Sequence, residues 1–482
     1  MRGFLTSSIG QPSAGAPSIA VCSIGVPCAA ALALALPPPA SAAPAPAVAA
    51  PSAADPALPG STRSLPLVPL SDERDLGTAP EQGLYRPEGE HFSMVGVVWR
   101  DPGSELRGRV RVRTRSAATG KWSGWQDVET HNADHGADPG TAERDARRVR
   151  GATAPLWVGD ADGVDVRVRA DGTGADDGAV VEGVADGGGG ADDARSSRKG
   201  GPRPPLPSGL RLELVDPGDE APPAGAPADA PHTGLQTAAA REASAANTDI
   251  TGFGALQIPA LSKQATEREL TRLQGPVQGK PHIGPRPRIV TRRGWGADES
   301  LRQRGFSYAK KVKAAFVHHT ASGNTYSCTQ APSVIRSIYR YHVTSMGWRD
   351  MGYNFLVDKC GTIYEGRAGG AAKAVLGAHT AGFNSDTMGI GVIGTYGSAK
   401  PSKATVTAVA RLTAWKLGLY GVNPRGKTYL TSAGGNLYPE GKKVRLNVIS
   451  GHRDGYATEC PGKRLYAKLG NARSNAAHYQ GR

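Results

Sequence analysis

Aromatic residues are scarce in this 482-residue chain, which has 7 Phe, 7 Trp and 14 Tyr against 64 Gly and 37 Pro. The length exceeds that of one ordinary domain, and so much Gly and Pro excludes a chain that is folded throughout. We therefore expect two or three folded units joined by linkers. The Ala-, Pro- and Ser-rich residues 43–83 are expected to form a disordered tether, and residues 217–284 an interdomain linker.

Long apolar runs are almost absent. The one long stretch, residues 19–36, is broken by Pro27 and is followed by a small-residue segment, Ala-Ser-Ala, that ends at residue 42. This arrangement predicts a signal peptide over residues 1–42 that is cleaved on secretion. The alternative is a membrane anchor that is retained.

Cysteine is also rare, with five in the chain, and Cys22 and Cys28 lie in the predicted signal peptide. Cleavage would leave Cys328, Cys360 and Cys460. Because three is an odd number, one of them has no partner within the chain. Outside the cell two cysteines would pair, and the third would be a free thiol or a ligand.

Acidic residues are few in the C-terminal part of the chain. Residues 281–482 have 30 Lys and Arg against 9 Asp and Glu, a net charge of +21, whereas residues 1–280 have a net charge of −7. Such a field attracts polyanions, including anionic polymers of a cell wall. Nucleic acid is not expected as a partner, because the basic residues are scattered and form no known binding motif. We expect a monomer.

A β-rich unit is predicted over residues 84–216, with a low-complexity insertion at 171–205. Short runs of alternating apolar and polar residues are separated by turn residues, at 94–99, 108–115, 122–128, 154–159, 164–169 and 209–216. Six strands at this spacing predict a small all-β, sandwich-like domain. Its four tryptophans form either its core or a carbohydrate-binding face; they are Trp99, Trp122, Trp125 and Trp157.

The C-terminal residues 285–482 show a different pattern. Strand-like runs at 314–319, 353–358, 361–366, 388–396 and 445–452 are interleaved with helical spacing at 331–346 and 401–420. This order predicts one α/β domain with a mixed central sheet flanked by helices.

Histidine and cysteine in this domain indicate a possible metal site. His318 and His452 each stand where a strand-like run ends, and Cys460 follows His452 by eight residues. Two imidazoles and a thiolate suit Zn²⁺, and three protein ligands leave the fourth position open, as in catalytic zinc sites. The alternative is that the histidines are hydrogen-bonded core residues and Cys460 is a buried thiol.

Seven segments of this domain resemble, in order, the peptidoglycan recognition proteins and the phage-lysozyme type of N-acetylmuramoyl-L-alanine amidase. They are PRIVTRRGWGADE (287–299), VHHTA (317–321), YHVTSMGWRDMGYNFLVD (341–358), GTIYEGR (361–367), LGAHTAGFN (376–384), MGIGVIGTY (388–396) and SGHRDGYATECPG (450–462). The resemblance covers the C-terminal two fifths of the chain. It implies a secreted zinc hydrolase that cleaves the amide between N-acetylmuramic acid and L-alanine of peptidoglycan.

Site residues follow from this resemblance position by position. The family's zinc ligands match His318, His452 and Cys460, and its catalytic positions match Tyr353 and Thr458. Family members that lack the cysteine ligand bind peptidoglycan without cleaving it, so Cys460 favours an enzyme. The alternative is a recognition protein without turnover.

Further matches concern the muropeptide groove. The resemblance places five residues along it: His342, Trp348, Arg367, His379 and Asn384. Arg367 is suited to pair with a carboxylate of the stem peptide. The choice between diaminopimelate and lysine stems is not predicted, because residues 368–376 depart from the animal pattern. With Cys460 on zinc, Cys328 and Cys360 remain for a disulfide; the alternative is two free thiols.

Overall fold

The computed structural model describes residues 60–70, 81–86, 88–130, 132, 134–171, 205–218, 235–276 and 278–482. By their contacts, all of them fall within the unit Ala54–Arg482. The predicted signal peptide, 1–42, and nearly all of the predicted insertion, 171–205, lie outside the described residues. No helix in the described part of the chain is long and apolar enough to cross a membrane.

Nine strands build the N-terminal domain within the residues that the structure describes. They are β1 (Ser61–Pro66), β2 (Val68–Pro69), β3 (Glu81–Arg86), β4 (Phe92–Trp99), β5 (Gly108–Ser116), β6 (Gln126–Val128), β7 (Gly151–Ala152), β8 (Leu156–Ala170) and β9 (Arg211–Asp216). The long β8 pairs with β4 through its first part and lies between β3 and β5 through its second part. The alternating side chains of β5 bury Val110 and Val112 between exposed arginines. The predicted all-β fold is confirmed.

The expected tether over residues 43–83 is wrong where strands β1 and β2 and the start of β3 form. All six residues of β1 pair with β9, and Arg211 on β9 donates to the Ser64 hydroxyl at 2.6 Å and to its carbonyl at 2.7 Å. Backbone pairing at a sheet edge needs few apolar side chains, so the polar composition of residues 61–66 hides this strand.

The four tryptophans of this domain divide into two pairs. Trp99 and Trp157 are buried. Trp122 and Trp125 are half-buried, and the Arg113 guanidinium lies 5.2 Å from each of their rings. The interpretation as core residues therefore holds for the first pair only.

A seven-stranded mixed sheet forms the centre of the C-terminal domain. Its strands are β10 (Gln257–Ile258), β11 (Ile289–Val290), β12 (Ala314–His319), β13 (Phe355–Val357), β14 (Ile363–Glu365), β15 (Thr387–Val392) and β18 (Ile449–Gly451), and β16 (Lys427–Thr431) pairs with β17 (Lys443–Asn447) in a separate hairpin. The helices are α1 (Ala238–Ala245), α2 (Lys263–Gln274), α3 (Ala331–Arg340), α4 (Lys403–Gly418), α5 (Lys463–Tyr466) and α6 (Leu469–Gln480). A π-helical turn, Tyr341–Ser345, continues α3. The predicted mixed α/β fold is confirmed.

The direction of the strands positions the site. β13, β15, β12 and β18 run parallel to one another. Their carboxyl ends therefore lie at one edge of the sheet, which is where open α/β sheets bind ligands. His318 is the penultimate residue of β12, and His452 directly follows β18.

The expected linker over residues 217–284 is wrong from residue 235 onwards, because this part folds with the C-terminal domain. β10 extends the sheet by pairing with β11, and Ile258 and Leu270 are buried in the core that α4 covers. The Ser262 hydroxyl caps α2 by accepting from the Ala265 amide at 3.2 Å. Helix α2 buries only Thr266 and Leu270 and is mostly polar elsewhere, so its sequence offers few apolar residues by which to predict it.

The two domains share a hydrophobic cluster. Met94, Val98 and Val215 of the N-terminal domain pack in one cluster with Ile335 and Tyr341 of the C-terminal domain. A shared buried core of this kind holds two domains in one arrangement, unlike the small polar contacts of mobile domains.

Cys328 and Cys360 form the predicted disulfide, with their Cα atoms 6.2 Å apart. Replacing both with Ser is expected to lower the free energy of unfolding by about 3–4 kcal/mol, because the bond closes a loop of 32 residues. Denaturant unfolding of the variant and of the wild type under oxidising conditions measures this loss. An unchanged midpoint and slope would contradict it.

Candidate metal centre and adjoining groove

Strand β12 carries the first site residue from the core to the edge of the sheet. Every residue of AAFVHH is buried, and alternation along the strand sends His318 to one face and His319 to the other. His318 Nδ1 lies 3.8 Å from Cys460 Sγ. His319 accepts from the Tyr396 amide through Nδ1 at 3.3 Å, so its ring belongs to the surrounding structure rather than to the cluster.

Four side chains place their metal-binding atoms within 4.8 Å of one another, namely those of His135, His318, His452 and Cys460. All four are buried. The three residues predicted from the sequence as ligands are thus brought together, and the fourth comes from the N-terminal domain. Ligand atoms bound to one zinc ion in a tetrahedral arrangement lie about 3.5 Å apart, close to the 3.8–3.9 Å separations of Cys460 Sγ from two of the histidines.

Unpartnered polar atoms mark this cluster as suited to a cation. Both ring nitrogens of His452 are buried, and neither makes a hydrogen bond to any described residue. The Oδ2 atom of Asp134 is likewise unpartnered and lies 3.7 Å from His452 Nδ1. A buried polar group without a partner costs about 1–3 kcal/mol. A metal ion held by the histidine would remove that cost.

The ionisation of the cluster agrees with a metal site. Burial lowers the pKa of His452 to about 3, and burial with the neighbouring imidazoles lowers the pKa of His318 well below its ordinary value. Both rings are therefore neutral at pH 7, the form that binds metals. Burial raises the pKa of the Cys460 thiol, so a bound cation would be needed to stabilise the thiolate.

His135 has the surroundings of a metal-binding histidine. Its Nδ1 lies 3.1 Å from Asp134 Oδ1, while its Nε2 lies 3.9 Å from Cys460 Sγ. A carboxylate on one ring nitrogen fixes the orientation of a histidine whose other nitrogen binds a metal.

Tyr353 and Thr458, the predicted catalytic pair, border the cluster. The Tyr353 ring lies 5.4 Å from the His318 ring, and burial raises its pKa well above its ordinary value, so the phenol keeps its proton. Thr458 accepts from the Cys460 amide at 3.2 Å, and its side chain helps to lower the pKa of the nearby Asp134 carboxyl.

Two glycines of β15 make room for site residues. A Cβ atom on Gly391 would lie 2.8 Å from the Tyr353 ring, and one on Gly389 would lie 2.3 Å from the His379 ring. These positions explain the Gly-x-Gly spacing in the MGIGV sequence of this strand.

Arg367, predicted to bind a substrate carboxylate, is paired within the chain. Its Nη2 donates to Glu143 Oε1 at 2.6 Å and its Nη1 donates to Oε2 at 3.0 Å, a two-point ion pair in which both side chains are largely buried. Glu143 belongs to the N-terminal domain. Arg367 Nε also donates to the Met351 carbonyl at 2.7 Å, which fixes the guanidinium.

The other predicted groove residues are buried. His342 accepts from the Gly352 amide at 3.2 Å, and its ring lies 4.5 Å from that of Trp348. His379 Nδ1 lies 3.3 Å from His318 Nε2, opposite the side of His318 that faces Cys460. His379 is therefore positioned to orient His318.

Asn384 organises the loop beside His379 and also contacts the N-terminal domain. Its side-chain carbonyl accepts from the His379 amide at 2.7 Å, and its amide group donates to Asp138 at 2.7 Å and to the Gly136 carbonyl at 2.9 Å.

Sequence patterns did not reveal the residues that the N-terminal domain brings to the site: Asp134, His135, Asp138 and Glu143. They lie in the connection between β6 and β7. A usable signal was present, because His135 stands between two aspartates in a Gly-containing loop although histidine is scarce.

Comparisons with known proteins agree with this architecture. The family described as N-acetylmuramoyl-L-alanine amidase matches residues 308–463, and the family described as Rv3811 N-terminal galactose-binding domain-like matches residues 41–198. Peptidoglycan-recognition protein SC2 of Drosophila simulans is 32% identical over 183 residues, covering 38% of this chain and 84% of that protein.

Two further relatives match the same region. N-acetylmuramoyl-L-alanine amidase of Homo sapiens is 31% identical over 196 residues, which cover 40% of this chain and 28% of that protein. The solved structure of Drosophila PGRP-LB is 26% identical and covers 38% of this chain and 91% of that one, with a TM-score of 0.30.

Proposed function

We propose that this chain, which belongs to the family of peptidoglycan-recognition proteins and N-acetylmuramoyl-L-alanine amidases, is a zinc-dependent amidase. Its reaction would be hydrolysis of the amide between N-acetylmuramic acid and L-alanine. The observation that carries the proposal is the position of the Cys460 thiol, 3.8 Å from His318 in a cluster that also contains His452.

The residues present fit a zinc ion. His318 and His452 would supply neutral nitrogens and Cys460 a thiolate, the mixture of ligands that suits zinc. When bound there, zinc would polarise the scissile carbonyl and lower the pKa of a water molecule towards about 7. His379 would hold the orientation of His318 through the ring nitrogen that faces away from Cys460.

Tyr353 and Thr458 would act on the reacting atoms. A water oxygen bonds to the lactyl carbonyl carbon, the bond from that carbon to nitrogen breaks, and the alanine amino group leaves with a proton. Tyr353 keeps its proton at neutral pH, so its hydroxyl can donate to the oxygen on which negative charge develops. Thr458 would assist from the side of Cys460, where its backbone contact holds it.

Substrate binding would use the groove beside this cluster. Arg367 has a fixed, planar guanidinium that suits a carboxylate of the stem peptide. The His342 and Trp348 rings, 4.5 Å apart, would pack against the saccharide or the peptide. His379 and Asn384 would shape the end of the groove near His318 rather than bind substrate directly.

A secreted, wall-associated enzyme is the setting that these features favour. The disulfide between Cys328 and Cys360 requires oxidising surroundings, and the charge of +21 on residues 281–482 suits an anionic wall. Recognition without cleavage is the second candidate, and many relatives carry the name of recognition proteins.

The test compares binding and cleavage in one experiment. Purified full-length chain is incubated for a prolonged period with isolated cell walls, with and without a chelator, and then with zinc restored. We expect stem peptides to appear in solution, to be lost with the chelator and to return with zinc, while the chain pellets with the walls throughout. If the chain binds the walls but releases no stem peptides in the presence of zinc, the result would favour a recognition protein without cleavage.

A further inference from the structure

A segment of the N-terminal domain lies in the groove of the C-terminal domain. This segment, residues 134–143, stands between β6 and β7 and is fixed at its start by the Ala381 amide, which donates to the Asp134 carbonyl at 3.0 Å. In its middle, Asp138 accepts from the Gly382 amide at 2.9 Å and from the Asn384 amide at 3.2 Å. These bonds hold the segment along residues that are expected to line the substrate groove.

Two side chains of the segment occupy the two positions on which the proposed reaction depends. His135 completes the cluster with its Nε2 atom 3.9 Å from Cys460 Sγ. Glu143 places a carboxylate on Arg367, where a carboxylate of the stem peptide would bind. The segment therefore contacts both the metal-binding atoms and Arg367, the cation expected to bind substrate.

We propose that His135 is a fourth protein ligand of the metal centre and that the 134–143 segment holds the enzyme in a closed, latent form. The inference rests on the proposed amidase function. Catalytic zinc sites have three protein ligands and one open position, whereas four protein ligands close the centre. With His135 bound, the position needed for water or for the scissile carbonyl is taken by the chain itself.

The surroundings of His135 support a role as a metal ligand rather than as a residue that only packs between the domains. Asp134 orients the ring through Nδ1, as a carboxylate does behind a metal-binding histidine. The His135 ring also lies 5.9 Å from the Tyr353 ring, edge to face, so the segment contacts the proposed catalytic machinery as well. Displacing the segment would free the Tyr353 ring, the metal position and Arg367 together.

Opening needs no separation of the domains. No residue of the segment belongs to the shared cluster that contains Met94 and Tyr341, and the tip of the segment at Pro139 and Gly140 is exposed. A competing muropeptide must offset the contacts of the segment, so the apparent affinity for substrate is the intrinsic affinity multiplied by the fraction of molecules that are open. The wild type would consequently act slowly and the opened enzyme faster.

The first test counts the metal ligands. Zinc-edge X-ray absorption of the zinc-loaded full-length chain should show one sulfur and three imidazoles, which are counted from the scattering of their ring atoms, and His135→Ala should lose one imidazole. Zinc affinity, measured by competition with a chelator, should fall at least about 10-fold. Removing a residue that only hydrogen-bonds to a metal ligand already lowers metal affinity by about this factor. His91→Ala, an exposed histidine of the same domain, is the matched control. Unchanged ligation and affinity in His135→Ala would overturn the proposal.

The second test measures the latent state through Glu143→Gln, which leaves the metal cluster intact. We expect muropeptide binding to tighten by about 10-fold and peptide release from walls to rise in this variant and in zinc-saturated His135→Ala. Glu105→Gln, at an exposed position, should behave as the wild type. Weaker binding or slower release in Glu143→Gln would overturn latency. If no form releases peptide, the amidase function fails, while the ligand count still decides the role of His135.

Discussion

Cys460→Ala is expected to abolish zinc-dependent release of stem peptides, with a loss of about 10³-fold or more. The thiol lies 3.8 Å from His318 and 3.9 Å from His135, and it is the one sulfur in the cluster. A metal ion contributes several kcal/mol to the stabilisation of a transition state, and each 1.36 kcal/mol corresponds to a factor of ten in rate. The measurement is the initial rate of peptide release with zinc content determined on the same samples.

Cys460→Ser serves as the companion variant, since it keeps the size of the side chain and replaces the sulfur. Both variants should retain the disulfide between Cys328 and Cys360 and the circular dichroism spectrum of the wild type. If Cys460→Ala kept full zinc content and full release, Cys460 would be a buried core thiol, the alternative that its sequence also allows.

Tyr353→Phe is expected to lower kcat by about 10²–10³-fold, the effect of removing one hydrogen-bond donor to a developing oxyanion, about 2.7–4 kcal/mol. The ring would stay in place, because it packs beside His318 and over Gly391. Zinc content and KM should therefore change little. Steady-state kinetics on a soluble muropeptide separate kcat from KM.

Tyr429→Phe is the matched control for this prediction, because Tyr429 is exposed on the hairpin of β16 and β17. It should leave both constants unchanged. A Tyr353→Phe enzyme with wild-type kcat would remove the phenol from the mechanism and leave it a structural role.

The central sheet and three members of the metal cluster, His318, His452 and Cys460, were predictable from the sequence because their signals are local. The buried strand AAFVHH ends in His318 and His319, and a buried strand also leads into His452. Parallel strands bring such ends to one edge of a sheet, so two separate patterns imply one site. Strand β1 and helix α2 escaped prediction, since β1 is stabilised by backbone pairing and α2 buries only two of its residues.

The contribution of the N-terminal domain was not predictable in this way. His135 and Cys460 are separated by 325 residues, and Glu143 and Arg367 by 224. No local periodicity connects residues at such separations. The resemblance to amidases covers only the C-terminal two fifths of the chain, so it carried no information about a partner segment. The domain interface alone brings these side chains to the groove.

The most direct measurement of the central claim is mass spectrometry of the products formed from purified muropeptides by the zinc-loaded wild type and by His135→Ala. The account predicts free stem peptides that begin with L-alanine and saccharides that keep an intact lactyl group, formed faster by His135→Ala. Products cleaved within the glycan or between amino acids, or no cleavage by either zinc-loaded form, would contradict it.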